Sequence, residues 1–301
     1  MKKIKYQNLL TEKSNPSSQG IDRLSIEEAV DLMNREDAGI APAIRKESKN
    51  ISKGIRLIVE SLKSGGKIIF IGAGASGRLG VLESAELPPT FSTPPVLAQA
   101  IMAGGKRSVF KSKEGAEDDS TKARTEIRKR ARRGDTVIGI AASGVTPFAQ
   151  AGMTEAKRLG AKTIFVTCNL VHISKNCADV VIAPQVGPEI ITGSTRLKSG
   201  TATKMVLNML TTLSMVQMGK VYGNRMVDLA PRSHKLRERG IRLVQEFTGL
   251  SRPGAEKAFK DAKGEVKTAI VMRKMNLKFE QAKTLLKSSQ GFLRLALNSS
   301  K

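Results

Sequence analysis

The sequence predicts an α/β protein, with a parallel sheet flanked by helices and a small all-helical subdomain toward the C-terminal end. Three observations carry this. Apolar runs of strand length alternate with helical stretches between residues 67 and 219. The run Lys67-Ile68-Ile69-Phe70-Ile71 breaks directly into the glycine-rich stretch Gly72-Ala73-Gly74-Ala75-Ser76-Gly77-Arg78-Leu79-Gly80. Beyond residue 224 only helical patterning remains.

Taken in order, residues 1–24 are mostly polar, carry Ser14-Asn15-Pro16-Ser17-Ser18 and read as an extended N-terminal arm. The first eight residues, Met1 to Asn8, lack the apolar core of a signal peptide. Ser25 with Glu28 three residues on forms a capping box that opens a helix at Ile26. Between Ile40 and Leu62, the residues Ile44, Ile51, Ile55, Ile58, Val59 and Leu62 fall at helical spacing, and Gly65-Gly66 closes the segment. Strands are then expected near 67–71, 96–101, 135–140, 162–167 and 179–183, with helices near 78–87, 118–132, 147–159 and 199–219. In a parallel sheet of this kind the binding crevice lies at the C-terminal ends of the strands. Amphipathic segments near 233–247, 253–261, 264–273, 278–287 and 290–297 follow, divided by Gly249, Pro253-Gly254, Gly264 and Asn276. The expected organisation is an arm over 1–24, an α/β domain over 25–223 and a helical subdomain over 224–301.

Composition narrows the function. A chain of 301 residues can bury a full core. Cys168 and Cys177, with His172 and His234, give neither zinc spacing nor a disulfide framework, so a reducing, cytoplasmic setting is expected and no metal is implied. The longest apolar stretch, Met205 to Met218, is interrupted by Asn208, Thr211, Thr212, Ser214 and Gln217 and reads as a buried helix rather than a membrane span. The formal net charge of +24 and the run Arg128, Lys129, Arg130, Arg132, Arg133 invite a nucleic-acid reading. Against it, Trp is absent, Tyr occurs twice, and no helix-turn-helix or zinc-finger spacing is present. The expectation is a solvated basic surface with no specific nucleic-acid partner.

The candidate site is built from two loops and a polar cluster. Glycines let the backbone turn and expose N–H groups, and a following helix aims the positive end of its dipole at the same point, so the loop after the first strand suits a phosphate. Ser76 adds a hydroxyl there, and Ala142-Ser143-Gly144-Val145-Thr146-Pro147 repeats the arrangement after the strand at 135–140. Thr192 through Thr201 adds hydroxyls, Lys198 and another helix start. Among the carboxylates, Glu83 and Glu86 share a helix face just before Pro88-Pro89, and Glu117 lies in the acidic run Glu114-Gly115-Ala116-Glu117-Asp118-Asp119 ahead of a helix.

These stretches, together with Thr11-Glu12 to Ile21-Asp22 and Tyr222-Gly223-Asn224-Arg225-Met226-Val227-Asp228, resemble the N-acetylmuramic acid 6-phosphate etherases nearly end to end. The resemblance implies the sugar isomerase (SIS) fold, a homodimer, and kinship with the glucokinase regulatory protein. It implies an enzyme, a carbon–oxygen lyase without a cofactor, acting on a sugar phosphate. By motif, the family's acid falls on Glu86 and its base on Glu117, while Ser76, Gly77, Ser143, Thr146, Ser194, Thr195 and Lys198 match positions that hold the sugar phosphate. This chain departs from the pattern with Ala75 for Thr, Glu83 for Asp and Ser233 for Asn. A non-catalytic sugar-phosphate-binding regulator is the alternative, and the presence of both glutamates favours the enzyme.

Overall fold

A computed structural model of the chain describes residues 9–170, 177–229, 231 and 233–299. Met1 to Asn8 and His172 lie outside the described residues. The chain divides into two compact units, the first running to Ser84 and resuming over Val96–Thr211, the second made of Ala85–Pro95 and the chain from Thr212.

The first unit is built on five parallel strands, β1 Ile68–Gly72, β2 Ala98–Met102, β3 Thr136–Ile140, β4 Lys162–Val166 and β5 Val180–Ile182, in the order β2-β1-β3-β4-β5. Every residue of β1 and β3 is buried, which is why these segments read as continuous apolar runs rather than alternating ones. Ile69, Ile71, Val137, Phe148, Met153 and Phe165 form the centre of one core. Each such side chain contributes roughly 1.5–3 kcal/mol on burial.

The helices follow the expected order with instructive differences. α1 Ile26–Asp37 opens with the capping box, the Ser25 hydroxyl accepting from Glu28 N and the Glu28 carboxylate from Ser25 N. The single helix expected between Ile40 and Leu62 is two, α2 Ile40–Lys46 and α3 Ser48–Lys63, parted at Glu47. α4 Gly74–Phe91 begins four residues before the expected start and carries Pro88 and Pro89 within it. Its glycines therefore serve packing more than looping. A Cβ at Gly80 would stand 2.8 Å from Phe70 Cβ, and one at Gly77 would stand 2.6 Å from Gly72 O. Gly74 alone of the three takes a positive φ, +53°. α5 Ser120–Arg130, α6 Pro147–Arg158 and α7 Lys198–Gln217 complete the order of the expected helices.

Residues 9–24 form three short 3-10 turns instead of an extended arm. Leu9, Thr11, Asn15 and Ser18 are buried. Ser18 Oγ donates to Ile190 O at 2.7 Å, and Asn15 Nδ2 donates to Glu36 Oε2 at 2.7 Å.

In the second unit, a two-residue-per-strand antiparallel hairpin, β6 Val221–Tyr222 with β7 Arg225–Met226, stands where only helices were expected beyond residue 224. Five helices follow: α8 His234–Thr248, α9 Arg252–Asp261, α10 Val266–Lys274, α11 Phe279–Ser288 and α12 Leu293–Asn298. They enclose a second core centred on Ile241, Val244, Phe259 and Ile270. The second compact unit starts at Thr212 and takes in Ala85–Pro95, where the sequence suggested a boundary at residue 224.

Candidate active site

The C-terminal ends of β1 and β3 open onto one cleft of about 290 Å³ in the first unit. Ala73, Gly74, Ala75 and Ser76 line it from the start of α4. Ala142, Ser143 and Thr146 line it from the turn that leads into α6, where Gly144 adopts φ +77°. Val145 N donates to Ser143 Oγ at 3.4 Å and Gln150 Nε2 to Gly144 O at 2.7 Å, so the turn is held by its own groups. Thr146 is the N-cap of α6 without spending its side chain on the helix, and Pro147 takes the first helical position. The first-turn N–H groups of α6 consequently have no side-chain cap, the arrangement that receives an anion.

The third polar cluster behaves differently. Glu189, fully buried, accepts from Lys198 N and Ser199 N, both at 2.9 Å, so the α7 N-terminus already holds a carboxylate of the chain itself. Lys198 is 3% exposed and its ammonium donates to Glu36 Oε2 at 2.5 Å. That hydrogen bond holds the Glu36 carboxyl below the usual carboxylate range. The cation singled out for phosphate is thus spent on joining α1 to α7, and it does not line the cleft.

The structure brings Ser76, Ser143, Thr146, Thr195 and Glu117 to one cleft. Gly77 and Ser194 do not line it, and Gly77 is buried under Met102 and Gly72. Glu86 does not line it either; it is exposed on the part of α4 that belongs to the second unit. Glu83, one turn earlier, is buried and accepts from Thr211 Oγ1 at 2.7 Å. Glu12, Asp118 and Gly193 also line the cleft and were not among the expected site residues. The Thr11-Glu12 pair at the head of the arm was the available signal for the first of them. A contiguous hollow of about 170 Å³ shares Ala73, Gly74 and Glu117 and adds Arg78 and Lys113. Arg78 is fixed by donating to Val109 O at 2.7 Å and Ser108 O at 3.0 Å. Hydroxyls and open N–H groups together with an exposed carboxylate equip the cleft to hold a phosphate and move a proton nearby.

Among the departures, Ala75 removes a hydroxyl from the wall of the cleft. Ser233 caps α8, accepting from Leu236 N at 3.3 Å. Among the described residues no cluster of three metal-ligating side chains occurs, and no helix is long and apolar enough to cross a membrane. Burial pushes the Cys168 thiol up to about 12, which leaves it inert.

The SIS domain family matches residues 115–213, and the glucokinase regulatory protein N-terminal SIS domain family matches residues 50–157. A relative from Symbiobacterium thermophilum named N-acetylmuramic acid 6-phosphate etherase is 47% identical over 268 residues, 89% of each chain. Another of that name from Geobacillus thermodenitrificans is 44% identical over 292 residues, covering 97% of this chain and 99% of its own. Among solved structures, a candidate phosphosugar isomerase from Bacteroides fragilis shares the fold at TM-score 0.50 and 18% identity, over 66% of this chain and 95% of its own.

Proposed function

The chain belongs to the N-acetylmuramic acid 6-phosphate etherase family, and from that premise we propose that it cleaves the D-lactyl ether at C3 of N-acetylmuramic acid 6-phosphate. The products are N-acetylglucosamine 6-phosphate and D-lactate. The observation that carries the reading is the cleft itself, which two serine-bearing segments at the ends of β1 and β3 line together with Glu117.

An alkyl ether resists direct hydrolysis, so the route runs through elimination. The sugar ring opens, and the C1 aldehyde acidifies the C2 proton. Glu117, as carboxylate, takes that proton; the electron pair forms the C2–C3 double bond as the C3–O bond breaks. Glu86, given the acid role by the family motif although it does not line the cleft, protonates the departing lactyl oxygen as a carboxylic acid. Water then adds to C3 of the unsaturated aldehyde and C2 regains a proton. The two carboxyl groups must begin in opposite protonation states. Ser76, Ser143 and Thr146 with the α6 N-terminus are assigned the phosphate, and Thr195 a sugar hydroxyl. Ser194 and Lys198, matched to the substrate by motif, do not line the cleft, and Lys198 is committed to Glu36. The enzyme is assigned to the carbon–oxygen lyases, acting as a cytoplasmic homodimer in the recycling or catabolism of cell-wall sugars.

The match to the regulatory-protein domain supports a second reading, a sugar-phosphate binder without turnover. One experiment separates the two. Purified protein incubated with the substrate in oxygen-18 water should release D-lactate with an unlabelled hydroxyl and give a sugar labelled at C3. No lactate supports the regulator, and label in lactate instead of at C3 rejects elimination.

A further inference from the structure

A second cleft, of about 770 Å³, lies wholly within the helical unit and is lined by none of the residues assigned to the reaction above. Its volume falls in the roughly 300–1,000 Å³ range of small-ligand sites. We propose that it is a separate binding site for a small hydroxylated anion, a sugar phosphate or sugar acid.

Charge points to the anion. Lys263, Lys267, Lys283 and Lys287 line the cleft against two carboxylates, Asp228 and Glu265. Both carboxylates are already matched. Asp228 receives Lys220 at 2.6 Å and Lys267 at 3.1 Å, and Glu265 receives Lys283 at 2.9 Å. Lys287 has no ion-pair partner among the described residues, and Lys263 lies over the Phe279 ring at 4.4 Å instead of on a carboxylate. Lys267 is the buried member, 8% exposed, also donating to Gly291 O at 2.8 Å. Burial lowers its pKa, a cost that an anion in the cleft would relieve.

Two further observations point to a ligand with hydroxyl groups. The Ser92 hydroxyl on the cleft wall is shielded from solvent and has no hydrogen-bond partner among the described residues. Buried polar atoms are nearly always paired, so an unpaired hydroxyl on a cleft-lining residue is a partner that a small shift of the wall would offer to a ligand. Of the four non-glycine residues at positive φ among the described residues, three line this cleft: Ser92, Lys263 and Gln290. Each follows a helix end, where glycine would take the same backbone without strain. The chain keeps a polar side chain at all three places.

The test uses the full chain carrying Ser76→Ala and Ser143→Ala, which weakens the phosphate-holding turns of the first unit, and titrates it calorimetrically with glucose 6-phosphate, gluconate and neutral glucose. Saturable binding of either anion, or of both, at one site per chain and at least tenfold tighter than glucose is expected. The two anions tell a phosphate preference from a carboxylate one. Adding Lys263→Glu and Lys287→Glu, both exposed, should weaken that binding at least tenfold, and Ser92→Ala alone about threefold. If a charge reversal prevents folding, Lys263→Gln with Lys287→Gln should still weaken it. Binding that ignores these substitutions, equal affinity for glucose, or no binding of either anion overturns the proposal. None of these outcomes depends on lactate release, so the proposal and the etherase reading fail separately.

Discussion

Glu83 and Glu86 stand about one helical turn apart on α4, yet their surroundings are opposite. Glu83 is 7% exposed and takes a hydrogen bond from Thr211, whereas Glu86 is exposed. A buried, hydrogen-bonded carboxylate serves the fold first, and an exposed one is free to meet a substrate. Glu86→Gln should therefore leave the denaturation midpoint unchanged and lower turnover about a hundredfold or more, the usual scale for a lost general acid. Glu117→Gln should do the same through C2 proton abstraction. Glu83→Gln should instead cost about 1–3 kcal/mol of stability, because the remade contact leaves a buried group less well paired. Urea unfolding and lactate release on the three variants check this. A dead but stable Glu83→Gln beside an active Glu86→Gln would move the acid one turn back. The placing of these residues was partly legible: serines after apolar strands and a carboxylate ahead of a helix, picked out in sequence, come together at the cleft. The pairing of Lys198 with Glu36 was not, because the partners are 162 residues apart and a lysine among hydroxyls looks the same whether it faces a phosphate or a buried glutamate.

At the scale of elements, the N-termini of α6 and α7 looked alike in sequence, yet only one of these two is without a filled cap. α6 is open at the cleft, while α7 is closed by Glu189. Glu189 follows Gly187-Pro188, a stretch with the composition of an ordinary loop, so nothing local announced its burial. Removing it with Glu189→Ala would strand two N–H groups that now meet a carboxylate, for a loss of about 2–4 kcal/mol measurable by chemical denaturation. Another buried carboxylate pins α6 to α5. Glu155 accepts from Arg158 at 2.6 Å and Arg128 at 2.7 Å, and these arginines hold its carboxyl at about 2, from 4.5. A depressed acid stabilises the fold above its unfolded pKa and loses that contribution as pH falls through the folded one. The contribution should be full above about pH 5 and gone near pH 2, amounting to about 1–2 kcal/mol once the exposure of both arginines is allowed for. Wild type and Glu155→Gln compared by urea unfolding should accordingly differ at pH 7 and converge toward pH 2. The strands and the helices between them were legible because buried parallel strands are apolar throughout, whereas the order β2-β1-β3-β4-β5 was not. The split at Glu47, the early start of α4 and the placing of Ala85–Pro95 in the second unit were not, since each is decided by packing between segments distant in sequence.

For the whole molecule, the net charge of +24 has to be reconciled with a small-molecule reaction. Three of the five residues in the densest basic run are paired: Arg128 holds Glu155, while Lys129 and Arg130 pair with Glu126. Charges paired in this way do not form a free track for a phosphate backbone, and the chain has no Trp and two Tyr to stack bases. What remains is a diffuse excess of Lys and Arg, which attracts any polyanion through released counterions and distinguishes none of them. Binding of this kind falls steeply with salt, by roughly a thousandfold or more between 50 and 200 mM where six or more phosphates are contacted. Mobility-shift titrations with duplexes of unrelated sequence should therefore give equal, weak binding at low salt and none at physiological salt. Binding of the sugar phosphate in the first-unit cleft should persist across the same range, because its donors are fixed hydroxyls and N–H groups close to the anion. A salt-resistant complex selective for one duplex would mean that the surface reads nucleic acid, and the excess charge would then require a function beyond the etherase reaction.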